Sequence, residues 1–174
     1  MDSAEINESV IVFFNFVPNS IIMNNLRKAE RRDVNLILDF IKGIAEYEKL
    51  SDQVKATSEV LEEWLFDKNI GQVVFAMEEG KEVGFVLFFY NFSTFVGKGG
   101  LYIEDLYVNP EFRGKGHGKA LINYVIEKAR KENLERVEWT CLDWNTPSIE
   151  FYKSLGAVSM DEWTNFRFLC NNKN

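Results

Sequence analysis

Val108-Asn109-Pro110-Glu111-Phe112-Arg113-Gly114-Lys115-Gly116-His117-Gly118-Lys119-Ala120 is the stretch on which the reading of this chain turns. It follows an apolar run that predicts a strand ending at Val108, and it leads into a helical pattern opening near Gly118. Glycines at alternate positions let the backbone approach a ligand closely and adopt positive φ. The helix behind them points unpaired N–H groups and its positive dipole end at the same place. Strand, glycine loop and helix N-terminus together predict an anion site suited to phosphate.

Spacing excludes two common phosphate patterns. A P-loop requires glycine where Arg113 stands and Ser or Thr where Ala120 stands. A dinucleotide fingerprint, Gly-x-Gly-x-x-Gly, requires its last glycine at Lys119 or Leu121. What remains is Arg-x-x-Gly-x-Gly, formed by Arg113, Gly116 and Gly118, or an ordinary glycine-rich turn. The motif resembles the acetyl-CoA pyrophosphate loop of the GNAT superfamily of N-acetyltransferases.

A length of 174 residues predicts one domain with a sizeable core. The formal net charge of −7 argues against non-specific nucleic-acid binding and mildly favours a cationic small molecule. Cys141, Cys170 and the single histidine, His117, cannot assemble a zinc set, so no metal is expected. Unpaired cysteine spacing points to a reducing, cytoplasmic location. Residues 1–22 carry the apolar run Val10 to Val17 behind Asp2, Glu5 and Glu8, too short for a membrane span and too acidic for a signal peptide. They read as an extension of unassigned role, with a catalytic-type domain over 23–174 and no membrane partner.

Periodicity predicts a strand near Asn25 to Ala29, then a helix through Val34, Ile37, Leu38, Ile41, Ile44 and Ala45 with Asp33 as its cap. A second helix is expected from Ser58 to Phe66. Strands over Gln72 to Met77 and Val83 to Tyr90 would meet at the Glu79-Gly80 turn, followed by a strand from Leu101 to Val108. After the helix behind the glycine loop come a strand from Arg136 to Cys141 and a helix with Thr146 as cap, Pro147 at its first position and Gly156 beyond its end. A final strand pair, Ala157 to Met160 and Trp163 to Leu169, would close the sheet. The fold class is α/β. By resemblance it is the GNAT fold, a mixed, mostly antiparallel sheet flanked by helices and splayed between strands four and five.

Acetyl transfer to an amine needs the neutral amine, and a lysine-like amine with pKa about 10.4 is almost entirely protonated at neutral pH. A carboxylate of raised pKa can accept that proton directly or through water. Glu104 and Asp105 interrupt the run Leu101-Tyr102-Ile103-Glu104-Asp105-Leu106-Tyr107-Val108, and on a regular strand they face opposite sides. One should therefore reach a covered face, as a strand-edge ion pair or as a base. This segment resembles the fourth strand of the spermidine/spermine acetyltransferase group. That resemblance implies Glu104 as the base and a strand kink offering backbone groups of Leu106, Tyr107 and Val108 to the pantetheine arm. It further implies Tyr152, within Asn145-Thr146-Pro147-Ser148-Ile149-Glu150-Phe151-Tyr152-Lys153, as general acid toward the CoA sulfur, and Asn145 as a CoA contact. Spacing alone leaves Tyr152 equally readable as core, beside Ile149 and Leu155. Arg113, Gly114, Lys115, Gly116, His117, Gly118, Lys119 and Lys153 complete the expected cofactor set. His117 is expected to be solvent-exposed and is rejected as a base.

For the acceptor, Tyr47 and Glu48 match by position the Tyr-Glu pair that lines the amine site in the polyamine group; with Asp105, Glu104 and Ser93 they form the expected substrate set. Unaided, the acidic stretch around them reads as a solvated helix end. Glu48-Lys49-Leu50-Ser51-Asp52-Gln53-Val54 and Leu142-Asp143-Trp144-Asn145 resemble the thialysine N-acetyltransferase branch. Asn91-Phe92-Ser93-Thr94-Phe95 lacks the carboxylate that polyamine enzymes carry there, which favours a lysine-like amino acid or short diamine. The reading is direct transfer from acetyl-CoA in a ternary complex, with a homodimer implied by resemblance only. The alternatives are a protein lysine or N-terminal acetyltransferase and a non-catalytic acyl-CoA-binding module.

Overall fold

The structure, a computed structural model, describes residues 25–170. The extension expected over residues 1–22 lies outside the described residues. The chain divides into two compact units, Met1–Trp139 and Thr140–Asn174, within what the sequence reads as one domain.

In the first unit β1 (Leu26–Lys28), α1 (Val34–Tyr47), α2 (Ser58–Glu62), β2 (Gln72–Glu78), β3 (Lys81–Ser93), β4 (Lys98–Val108), α3 (His117–Lys131) and β5 (Val137–Trp139) follow one another. The strands lie side by side in chain order. Neighbours are antiparallel except β4 and β5, which are parallel. The β2–β3 turn follows from its sequence: Glu79 (φ 50) and Gly80 (φ 79) both take positive φ. Such a turn carries the right-handed twist of the two strands it joins. The α2 helix runs on through a π turn, Glu63–Asp67, that buries Leu65.

Side chains alternate across the sheet, and each face has its own helix. Ile37 and Phe40 of α1 pack with Phe75, Phe85 and Tyr107, the Phe40 and Phe85 rings stacking at 5.2 Å. Gly43 permits this approach, since a Cβ there would lie 3.1 Å from the Tyr107 ring and hydroxyl. On the opposite face Phe88 meets Tyr124 of α3 at 6.3 Å, above the buried Leu121, Ile122 and Val125.

The β4 strand is not regular. Phe88 pairs with Ile103 and Leu87 with Asp105, which leaves Glu104 as an extra residue, a β-bulge. Ahead of the bulge Ile103 shares the face of Phe88; behind it Asp105 and Tyr107 share the face of Leu87 and Phe85. The bulge thus moves Asp105 to the side covered by α1. On its other edge β4 pairs with β5 only from Leu101 to Ile103. From Glu104 onward that edge is open, which is the splay between β4 and β5.

Three expectations require correction. Asp33 does not cap α1 with its side chain; its carboxylate turns back to accept the Glu30 N–H (2.7 Å) and two bonds from Arg27 (2.7 and 2.9 Å). In the second unit α4 (Thr146–Ser154) is capped by Asn145 rather than Thr146, the Asn145 side chain accepting from the Ser148 N–H at 3.4 Å. An amide oxygen reaches back to a helix N–H as readily as a hydroxyl does. The final strand pair does not form: residues 157–170 contain no strand, and the Trp163 N–H closes a turn on Met160 at 3.2 Å. Val158, Phe166 and Phe168 remain exposed. Apolar and aromatic content favours a strand only where a ladder partner exists. Gly156 does end α4, at φ 86. Among the described residues no helix is long and apolar enough to cross a membrane.

Arg27 joins the start of α1 to the sheet by bonding Asp33 and, at 2.6 and 2.9 Å, Glu82 of β3. This ion pair holds the Asp33 carboxyl below the ordinary carboxylate range. Its contribution is therefore complete above the unfolded-state value and is lost as pH falls through the folded one. Asp33→Ala should lower unfolding free energy by about 2–3 kcal/mol at pH 7. In denaturant titrations the difference from the unaltered chain should shrink below about pH 4.

Candidate active site

The first unit contains a pocket of about 250 Å³ where α1 ends. Its apolar lining comes from Ile41, Ile44 and Ala45 of α1 and from Leu50, Val54 and Ala56 just beyond. Its polar lining is Glu48, Gln53, Lys55 and Asp105. A helix C-terminus carries partial negative charge, so its end and two carboxylates together favour a cation.

Desolvation, reinforced by the charges of Glu104 and Glu48, pushes the Asp105 carboxyl up to about 7. Burial also raises Glu48 above its ordinary value. The group poised near neutrality is thus Asp105. Glu104, on the bulge, is exposed and does not line the pocket. Regular-strand alternation could not anticipate this, because the bulge changes the face on which each following residue lies.

Past the bulge the backbone of β4 is available on one side. Asn109 donates to Val83 of β3 at 2.9 Å, so by the two-residue alternation of an antiparallel ladder Tyr107 and Asp105 also turn their backbone groups toward β3. Leu106 and Val108 turn theirs to the open edge, where Val108 accepts the Arg113 Nε–H at 2.9 Å. Tyr107 contributes its ring instead: the Arg113 guanidinium lies 4.7 Å from the centre of the Tyr47 ring and 5.4 Å from that of Tyr107. Tyr47 therefore braces the loop arginine and does not line the pocket.

The glycine loop has the conformation its sequence predicts. Gly114 (φ 77) and Gly116 (φ 92) are left-handed, and a Cβ at either would meet no atom within 4 Å. Conformation, not crowding, requires glycine there, and the space in front is open. Gly116 precedes α3, and its carbonyl takes the Ala120 N–H at 2.9 Å. The N–H groups of His117, Gly118 and Lys119 come before any acceptor within the helix. With the open edge of β4, this is a fitting cradle for a pyrophosphate and its pantetheine arm. Lys119 is exposed.

His117 departs from expectation. Its side chain is only 12% exposed, and Nε2 lies 2.6 Å from Glu78 at the end of β2. Lys115 reaches the other Glu78 oxygen, also at 2.6 Å. Glu78 thereby ties the loop to the sheet; only the tertiary fold brings it there, and no sequence motif marks it. Ser93 is not near the pocket. It pairs with Lys98, about 23 Å along β4 from Asp105 at the usual rise per residue. In the second unit Asn145 is buried as the α4 cap. Tyr152 is half-buried with its ring 5.4 Å from Phe151, and Lys153 is exposed beside Glu150.

Known proteins resemble this chain. The acetyltransferase (GNAT) family model matches residues 38–157. A thialysine N-epsilon-acetyltransferase of Sus scrofa is 37% identical over 155 residues, 82% of this chain and 91% of that protein. An L-ornithine N5-acetyltransferase of Arabidopsis thaliana is 46% identical over 80 residues, 46% of this chain and 35% of that protein. An aminoglycoside acetyltransferase from an uncultured soil metagenomic sample, solved with sisomicin, superposes with a TM-score of 0.71 at 21% identity, over 86% of this chain and 99% of that one; it speaks for the fold. With the glycine loop, the splayed sheet and these relatives together, the chain belongs to the GNAT family of acetyl-CoA-dependent N-acetyltransferases.

Proposed function

We propose that the chain acetylates the terminal primary amine of a small cationic acceptor, a lysine-like amino acid or short diamine, by direct transfer in a ternary complex. The observation that carries this reading is the acidic pocket at the end of α1, into which the bulge delivers Asp105. At about 250 Å³ it lies below the range of about 300–1,000 Å³ typical of drug-sized ligands. The 37% identical relative is named for thialysine, which supports an acceptor of that size.

Acetyl-CoA supplies an activated acyl group on a thiol leaving group. The N–H groups of Gly114 to Lys119 and the open edge of β4 at Leu106 and Val108 would hold it. At pH 7 a lysine-like amine stands about 4–5 kcal/mol from its neutral form. Asp105, with a proton affinity near neutrality, accepts the amine proton directly or through water. Glu48 steers the ammonium inward, and Glu104 sustains the proton affinity of Asp105. Tyr152 is assigned the general acid toward the leaving thiolate, with Asn145 and Lys153 as further cofactor contacts. A second reading gives the proton to Glu104 itself, favoured by its place on the bulge and by family resemblance. A homodimer and a cytoplasmic location complete the proposal.

A turnover screen with acetyl-CoA over thialysine, lysine, ornithine, putrescine, spermidine, spermine and a lysine peptide should find activity on the small free amines. Turnover of the peptide alone would replace this acceptor class. Asp105→Asn should lower kcat/KM by about 10²–10³-fold and abolish the rise of activity with pH near 7. In Glu104→Gln the rise should persist at lower pH, because a neighbouring negative charge is gone. The opposite pattern would assign the base to Glu104. Tyr152→Phe should slow kcat by about 10²-fold, and an unchanged kcat would remove Tyr152 from the mechanism.

The raised Asp105 pKa also has a sign for stability. Ionising this carboxyl costs more in the folded than the unfolded chain, so its penalty is absent below about pH 4 and complete above 7. Asp105→Asn should therefore melt at a higher temperature than the unaltered chain at pH 8, and show no such gain at pH 4.

A further inference from the structure

The pocket holds one charge that the proton-transfer chemistry does not use. Lys55 lines it together with Glu48 and Asp105. Among the described residues Lys55 makes no ion pair or hydrogen bond. Two carboxylates in the same small pocket both attract an ammonium, yet neither holds Lys55 at ion-pair distance. Other lysines of the fold, including Lys68, Lys115 and Lys128, do find carboxylates. Burial sorts the polar lining in the same sense. Glu48 and Asp105 are half-buried, whereas Gln53 and Lys55 are exposed. The lining thus combines two half-buried carboxylates with one exposed ammonium and with apolar side chains of α1.

We propose that Lys55 selects, among small primary amines, those with a carboxylate at the end opposite the reacting amine, and discriminates against diamines and polyamines. The inference rests on the acceptor reading above and deepens it. An acceptor whose terminal ammonium faces Asp105 and Glu48 presents its other end to Lys55. A carboxylate there meets an opposite charge, with the α-ammonium left in water. A second ammonium there meets a like charge, and specificity arises from the repulsion as much as from the attraction. The alkyl or thioether spacer of a lysine-like acceptor lies along Ile41, Ile44 and Val54. A single rim charge acts through a modest energy, so the selection is graded.

Lysine and cadaverine differ only by the α-carboxylate and form the discriminating pair. The unaltered chain should show a higher kcat/KM for lysine than for cadaverine, carried mainly by KM. The ratio should fall with added salt, and lysinamide should behave like cadaverine. Lys55→Gln should lower the lysine-to-cadaverine ratio about tenfold, by weakening lysine and improving cadaverine, and Lys55→Glu about a hundredfold. Lys55→Arg should restore the ratio. Because Lys55 is exposed, these variants should melt like the unaltered chain, and the lysinamide comparison needs no variant at all. An unaltered chain that prefers cadaverine or treats lysine and lysinamide alike would overturn the inference, as would an unmoved ratio in the Gln and Glu variants. Each of those outcomes leaves the acceptor class intact. Turnover of no small amine by the unaltered chain would instead overturn the acceptor reading, and this inference with it.

Discussion

One extra residue in β4 organises both halves of the first unit's site. Glu104 has no partner in the register between β3 and β4, and a bulge of this kind rotates the strand locally and reassigns its faces. Without it, Asp105 would share the face of Leu101 and Ile103, against the apolar side of α3. A carboxylate there would be unpaired in a dry core, at a cost of several kcal/mol. With it, Asp105 meets the end of α1 and Tyr107 takes its place under Gly43 and Arg113. The same irregularity coincides with the end of pairing to β5 at Ile103. The strand that carries the pocket carboxylate on one face thus offers free backbone groups along its edge.

Arg113 connects that edge to the glycine loop. The motif arginine looks from its sequence like a phosphate ligand, yet its Nε–H is used on the Val108 carbonyl and its guanidinium lies over two tyrosine rings. One of those rings, Tyr47, is the last residue of α1, immediately before Glu48. Loop, open edge and pocket wall are accordingly one packed assembly. Glu78 adds a second tie through Lys115 and His117, which holds its carboxyl below the ordinary range. The loop is braced before any ligand meets it, and preorganised N–H groups need less ordering on binding.

What was legible in the sequence is what depends on neighbouring residues. The Glu79-Gly80 turn, the α1 periodicity and the alternate glycines each carry a local conformational demand, and each appears where the pattern placed it. The face of Asp105 was not legible, because a bulge is decided by the pairing of β4 with β3 rather than by either strand alone. Asp33 was misread for a similar reason: a carboxylate before a helix favours its N-terminus, but Arg27 lies close in space and binds it more strongly. His117 looked like a solvated loop residue until the end of β2 supplied Glu78. The apolar, aromatic run from Ala157 to Leu169 satisfies strand propensity, and propensity without a ladder partner made no strand.

Under the proposed function, the electrostatics of the pocket set activity against stability within a single side chain. Holding Asp105 near 7 requires Glu48 and Glu104 close by and water partly excluded, and all of these disfavour the ionised fold at neutral pH. A lone cation placed against Asp105 would relieve the strain, as Arg27 does for Asp33. It would also depress the carboxyl and weaken it as a proton acceptor. The position of Lys55 is consistent with that constraint, since it lines the same pocket without forming an ion pair with either carboxylate. Under the proposed function the counter-charge is left to the acceptor's own ammonium, so the strain of the free site is relieved on binding. Such a site draws affinity for a cation from the instability of its own empty form.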